Sequence, residues 1–233
     1  MKVGITLPQF RDDAEMAIDV ARQAESAGLD GVFVFDHLWP IGQPDKPAVH
    51  SLALLGALAA ETSRLTIGTL VSRVGLLPGA VLVNALGSVH RMVGDRLIAG
   101  VGAGDSLSKA ENLAYDVPFD PAAVRLAEVA EVVAALREQG ITTWVGGRSP
   151  ETRRIAVDHA DALNLWAATP AEVALEKTVP VTWGGVVRPD DDVPVLLAAL
   201  SDARAEWAVV APAGWEWDEA VSVISGAAGM VPR

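Results

Sequence analysis

The sequence predicts an α/β fold, a compact (β/α)8 barrel formed as one domain over residues 1–233, and three observations predict it. Eight short apolar runs alternate with helix-like stretches and leave little of the chain over. Several runs end in polar or glycine-rich residues, as at Phe35-Asp36-His37 and Gly102-Ala103-Gly104. The length lies just under the ~250 residues typical of a barrel of this kind, in which chemistry sits in the loops that follow the strands.

The first strand is Val3 to Pro8; Asp12 and Asp13 then supply N-cap character to a helix that turns Ala17, Ile18, Val20, Ala21 and Ala24 inward until Gly28 ends it. Gly31 to Asp36 is nearly continuous in apolar residues, the pattern of a parallel strand buried on both faces. A Pro- and Gly-rich loop, Leu38 to Pro47, leads to a helix through Leu52, Leu55, Leu58 and Ala59, and then to the third strand, Leu65 to Ser72. A helix from about Ala80 to Met92 precedes the fourth strand, Leu97 to Val101. Residues 105–120 read as a long irregular loop, and long loops in compact domains are commonly functional, so this segment is the candidate lid.

In the next helix Leu126, Val129, Ala130, Val133 and Leu136 form the apolar stripe, with Arg125, Glu128 and Arg137 assigned outward. Strand five is Thr142 to Val145, followed by Gly146-Gly147-Arg148-Ser149-Pro150 and a helix from Glu151 to His159. Asp161 to Trp166, Pro180 to Val187 and Glu206 to Ala211 complete the strands, with a short helix between the sixth and seventh.

Composition narrows the classes of function. Hydrophobic residues make up 51% and charged residues 21%, a globular balance. The formal net charge of −12 argues against nucleic acid and anionic membranes, which are bound by clustered Lys and Arg. The absence of cysteine excludes disulfides, thiolate metal sites and a cysteine nucleophile. No signal-peptide pattern opens the sequence and no apolar run spans a bilayer, so the expectation is a cytoplasmic protein acting on a small molecule. His37 alone of the four histidines stands at a strand end, while His50, His90 and His159 fall on helices, and no metal site is expected.

Three strand ends carry candidate chemistry. Asp36-His37 offers an imidazole that can shuttle a proton beside a carboxylate that can fix its tautomer; a structural loop-capping pair is the alternative. Gly100-Val101-Gly102-Ala103-Gly104 lacks the third glycine of a dinucleotide fingerprint, and reads either as a place where a planar ligand approaches the backbone or as a tight turn. Gly146-Gly147-Arg148-Ser149 before a helix has the parts of a phosphate cradle, and equally those of a helix start with Ser149 at N-cap and Pro150 at N1. Gly184-Gly185 is an alternative phosphate site. In the long loop, Asp105, Glu111, Asn112 and Tyr115 can face a substrate, and Glu111 can act as acid or base if closure desolvates it and raises its pKa. Trp166, Trp183, Trp207, Trp215 and Trp217 gather in the last third of the chain and suggest a homodimer surface.

Taken in order, Asp36-His37, Gly94-Asp95-Arg96-Leu97 leading to Gly100–Gly104, Tyr115-Asp116-Val117-Pro118-Phe119, and Val145-Gly146-Gly147 before a helix ending at Ala160-Asp161 resemble the luciferase-like monooxygenase family over nearly the whole chain. The resemblance implies an oxidoreductase that moves a hydride between the deazaflavin F420, or else FMN, and a small organic substrate, with NAD(P)H as a further co-substrate. It implies Asp36, His37, Ser72 and the turn Gly102, Ala103, Gly104, Asp105 near the cofactor ring, and Gly146, Gly147, Arg148, Ser149 and Thr152 near its phosphate. His37 would donate or accept the proton, Asp36 would orient it, and Glu111 would be a second acid. A non-proline cis peptide between Leu70 and Ser72 is also implied. Family members are commonly longer, and many carry Arg or His before the proline after strand three, where this chain has Leu76-Leu77-Pro78. Two other readings stand beside this one. The first is a shortened, non-catalytic flavin- or F420-binding protein. The second is a barrel isomerase or aldolase, although none of Lys2, Lys46, Lys109 and Lys177 ends a strand as Schiff-base chemistry would favour.

Overall fold

The computed structural model describes residues 1–232. Eight parallel strands close into a barrel in sequence order. They are β1 (Lys2–Thr6), β2 (Gly31–Val34), β3 (Thr66–Arg73), β4 (Leu97–Gly102), β5 (Thr142–Gly146), β6 (Ala162–Trp166), β7 (Val181–Val187) and β8 (Trp207–Pro212). Closure is made where Val3 and Gly4 of β1 pair with Ala208 and Val209 of β8. The helices around it are α1 (Glu15–Ser26), α2 (Ser51–Glu61), α3 (Gly79–Val93), α4 (Lys109–Ala114), α5 (Ala122–Glu138), α6 (Pro150–His159), α7 (Pro170–Leu175), α8 (Val193–Asp202) and α9 (Trp217–Ala228).

Two layers of core hold this shape. Between strands and helices lies an aliphatic shell, in which the inward stripe of α1 (Ala17, Val20, Ala21, Ala24) meets strand residues such as Val3, Ile5 and Val32. Inside the barrel the filling is aromatic: Phe33 lies 5.2 Å from Trp144 and 5.7 Å from Trp207 between ring centroids. Glycine makes room for it, since a Cβ on Gly68 would come within 2.8 Å of the Phe33 ring and one on Gly4 within 3.0 Å. Small residues opposite large ones are how a narrow barrel is packed without voids.

The structure departs from the sequence reading in several places. The long loop carries α4, whose six residues present Glu111 and Asn112 to the interior. A further helix, α9, follows β8 and packs Ala220, Val221, Ile224 and Ala227 against the barrel. Arg125 is buried. It shares the i, i+4, i+7 stripe of Val129 and Val132 on α5, so the outward assignment was wrong by helical geometry alone. Trp183 and Trp207 are core residues and Trp215 and Trp217 pack on the core, leaving Trp166 as the exposed one of the five tryptophans taken as a dimer surface. Gly184 and Gly185 are not an open cradle: a Cβ on them would strike the rings of Trp166 and Trp183 at 2.8 and 2.3 Å. Among the described residues no helix is long and apolar enough to cross a membrane.

β3 contains the cis peptide that the resemblance implied, between Leu70 and Val71. Its pairing with β4 shifts register between Thr69 and Ser72. Val71 then fills the space left by two strand-end glycines, since Cβ atoms on Gly102 and Gly146 would lie 2.6 and 2.9 Å from its methyl groups. The absence of side chains at these two positions is therefore explained first by Val71.

Candidate active site

The carboxyl ends of the strands surround a cavity of about 670 Å³, within the range of small-molecule and cofactor sites. Its walls come from the residues after β1 and β2, from β3, from the turns after β4 and β5, and from β6. Asp36, His37, Gly102 to Asp105, and Gly146 to Ser149 all line it, as does Thr152. Ser72 is buried but absent from the wall; its neighbours Val71 and Arg73 face the cavity instead. Glu111 lies just behind the wall, bonded to groups that line it.

An ionic cluster is built at the β2–β3 side. Asp36 and His37 follow β2, Arg73 ends β3, and Glu111 projects from α4. Glu111 Oε1 is 2.8 Å from His37 Nδ1, and its Oε2 accepts from Arg73 Nη2 at 2.5 Å. Asp36 does not bond His37; its Oδ2 accepts the Arg73 backbone N–H at 2.5 Å and lies 3.8 Å from Arg73 Nε. The orienter of His37 is therefore Glu111 rather than Asp36. Arg73, Glu111 and Asp36 are 3%, 1% and 8% exposed, so these charges interact with little water between them.

The two carboxyl groups are driven apart. Burial pushes Asp36 above its ordinary value, against the lowering effect of Arg73. Burial also raises Glu111, but the hydrogen bonds from His37 and Arg73 outweigh it and hold this carboxyl below the usual range. That reverses the expectation of a raised Glu111: the hydrogen bond from His37, joined by that from Arg73 at the end of β3, outweighs burial. Carboxyl groups pushed in opposite directions are a pattern of sites with divided proton duties. An ionised Glu111 can only accept, so His37 Nδ1 carries a proton and Nε2 is the nitrogen available to a ligand.

The α4 segment is secured to the rim at further points. Asn112 donates through Nδ2 to Gly75 O and Pro118 O, and Tyr115 stacks on Trp39 at 5.8 Å. Asp105 caps the turn that enters α4, accepting from the backbone of Leu107 and Ser108. Arg125, missed as a site residue, lines the cavity; it donates to Ala103 O at 2.6 Å and Gly104 O at 3.4 Å while its guanidinium stacks on Phe119.

At the β5 side, Gly147 adopts φ +145 and turns the chain into α6. Ser149 caps that helix, accepting from Thr152 N at 3.0 Å, with Pro150 in its first turn. Gly147 N–H is given to Asn164 O. The amides of Arg148, Ser149 and Glu151 take no protein partner among the described residues. The Arg148 side chain is paired with Glu172 at the start of α7. Asn164, a buried residue of the cavity wall, donates to Thr182 and was not foreseen.

The family model for luciferase-like monooxygenases matches residues 1–142. The chain belongs to the luciferase-like monooxygenase family. Within it, a relative named F420-dependent glucose-6-phosphate dehydrogenase from Nakamurella multipartita is 33% identical over 132 residues, 56% of this chain and 37% of its own. One of the same name from Microbacterium testaceum is 28% identical over 209 residues, 77% of this chain and 62% of its own. The chain thus spans less than two thirds of the length of these relatives. An F420-dependent secondary alcohol dehydrogenase solved with an F420-acetone adduct superposes with a TM-score of 0.82 at 13% identity, covering 100% of this chain and 99% of that one; it shares the fold.

Proposed function

We propose that this luciferase-like protein is an oxidoreductase that moves a hydride between F420, or secondarily FMN, and a small organic substrate. The observation that carries the reading is that His37, a residue of the cavity wall, is held through Nδ1 by a buried Glu111 and keeps Nε2 for a ligand. The names of the curated relatives favour F420 over FMN.

The residues present suit a phosphorylated, planar cofactor. The unpaired amides of Arg148, Ser149 and Glu151 at the start of α6 would take a phosphate, where the helix dipole favours negative charge. The Thr152 and Ser149 hydroxyls stand beside them on the wall. Val71 and the Gly102–Asp105 turn would back the ring, and Arg125 holds that turn through its carbonyl groups. When bound, the cofactor supplies the hydride donor or acceptor. The protein handles the proton: His37 Nε2 would accept it from a substrate hydroxyl or return it to a carbonyl oxygen. Glu111 stabilises the imidazolium that forms, and Arg73 keeps Glu111 ionised.

Titration of purified protein with F420, FMN and NADPH, followed by ring absorbance or fluorescence, tests the reading. F420 is expected to bind most tightly, and failure of both F420 and FMN to bind at micromolar concentration overturns it. Binding of F420 without turnover across a panel of alcohols and carbonyl compounds would instead favour a non-catalytic cofactor-binding protein.

A further inference from the structure

The cavity that the glycine-rich turns line is also walled by rings. Phe10 after β1 and Phe35 after β2 are stacked with centroids 6.2 Å apart and planes at 10°, and Trp166 at the end of β6 meets Phe35 edge-on at 5.7 Å. All three line the cavity, with Pro40 and Ile41 from the loop after β2 beside them. Gln9 fixes this wall from beneath: fully buried, it donates through Nε2 to Phe35 O at 2.7 Å and accepts from Phe35 N at 2.6 Å. Trp166 nevertheless stays 36% exposed and Ile41 50% exposed, so apolar surface faces the cavity without a protein partner to cover it.

The cations of the cavity are already engaged. Among the described residues those lining it are Arg73, Arg125 and Arg148, with no lysine. Arg73 is bonded to Glu111 and faces Asp36, Arg125 serves the carbonyls of the β4 turn, and Arg148 pairs with Glu172. Two nitrogens of Arg73, Nε and Nη1, have no hydrogen-bond partner, but they are buried in a cluster with the Asp36 and Glu111 carboxyl groups, where a phosphate dianion would be repelled. A phosphorylated sugar, the substrate class in the names of the curated relatives, would find among the described lining residues no arginine or lysine free of a protein partner.

We propose that the ring-walled part of the cavity takes a neutral, ring-bearing alcohol or carbonyl compound, stacked against Phe35, Phe10 and Trp166 with its oxygen at His37 Nε2. The proposal rests on the reading above in assigning the glycine-rich turns to the cofactor. The wall itself is independent of that assignment, because aromatic faces attract a flat apolar ligand whether or not a second molecule is present.

Acetophenone and glucose 6-phosphate serve as probes, measured by ligand-observed NMR on the whole protein, alone and with saturating F420, with F420 binding followed separately by its own fluorescence. Acetophenone is expected to bind saturably and more tightly than glucose 6-phosphate, and to bind together with F420 without displacing it. Trp166→Ala and Phe10→Ala, each checked for fold by circular dichroism, are expected to weaken it roughly 2- to 12-fold, the range that one aromatic contact supplies. Tighter binding of glucose 6-phosphate, absence of saturable acetophenone binding, or equal acetophenone affinity in both variants overturns the proposal. Displacement of F420 by acetophenone overturns it too, by making the aromatic wall the cofactor's own seat. If acetophenone binds as expected while F420 and FMN do not, the cofactor reading fails and the assignment of the wall stands.

Discussion

Arg73→Met removes the cation that Glu111 and Asp36 share and leaves a chain of similar length in its place. The structure sets the scale of the effect. The guanidinium is 3% exposed and its Glu111 partner 1%, so water cannot take over the lost interaction as it would at the surface. Breaking a buried pair by deleting one partner costs about 3–5 kcal/mol, because the other charge is left uncompensated. For a chain of this size each kcal/mol moves the unfolding midpoint by about 2–4 °C, so a fall of roughly 6–20 °C is expected. Thermal unfolding by circular dichroism at neutral pH measures it. Arg22→Met is the control, since Arg22 pairs with Asp19 and Glu61 at the surface, and its midpoint should stay close to that of the unaltered protein. A fall of less than about 2 °C in Arg73→Met, under 1 kcal/mol, would refute the view that this ion pair holds α4 to the barrel.

Other consequences can be measured directly. Glu111 is held below its ordinary value of 4.5, so its contribution to stability is full above that pH and is lost as pH falls through the folded-state value; urea unfolding should show the gap between the unaltered protein and Glu111→Gln shrinking below 4.5. A gap that is constant or widens on acidification contradicts the direction assigned to Glu111. Phe33→Ala should destabilise the fold by about 3–5 kcal/mol in the same assay, since Phe33 is fully buried between Trp144 and Trp207 and the glycines around it offer nothing to fill the void. His37→Ala should leave F420 affinity nearly unchanged while slowing turnover by roughly 100-fold or more; equal turnover would remove His37 from proton transfer.

Much of the barrel was legible because its strands are buried on both faces and therefore read as continuous apolar runs, as at Gly31-Val32-Phe33-Val34. The cap of α6 was legible for a similarly local reason: Ser149 and Pro150 are adjacent in the chain and satisfy the first turn by themselves. α4 was not, since its six residues carry no apolar stripe and their burial depends on partners elsewhere, Gly75 and Pro118 for Asn112 and Arg73 and His37 for Glu111. Arg125 was legible in principle through its place on the α5 stripe, but its charge argued for solvent until the Ala103 and Gly104 carbonyls appeared beside it.

What the sequence by itself determined was the alternation of elements, the strand ends that line the cavity and the family motifs they carry, all written in periodicity and short-range spacing. The tertiary structure alone decided which carboxylate serves His37 and which way its pKa moves, that Val71 occupies the space beside Gly102 and Gly146, and that Phe10, Phe35 and Trp166 come together on the cavity wall. The physical reason is range: a helix or strand declares itself within a few residues, whereas an ionic cluster linking positions 36, 37, 73 and 111 exists only after the barrel has closed and brought separate loops within hydrogen-bonding distance.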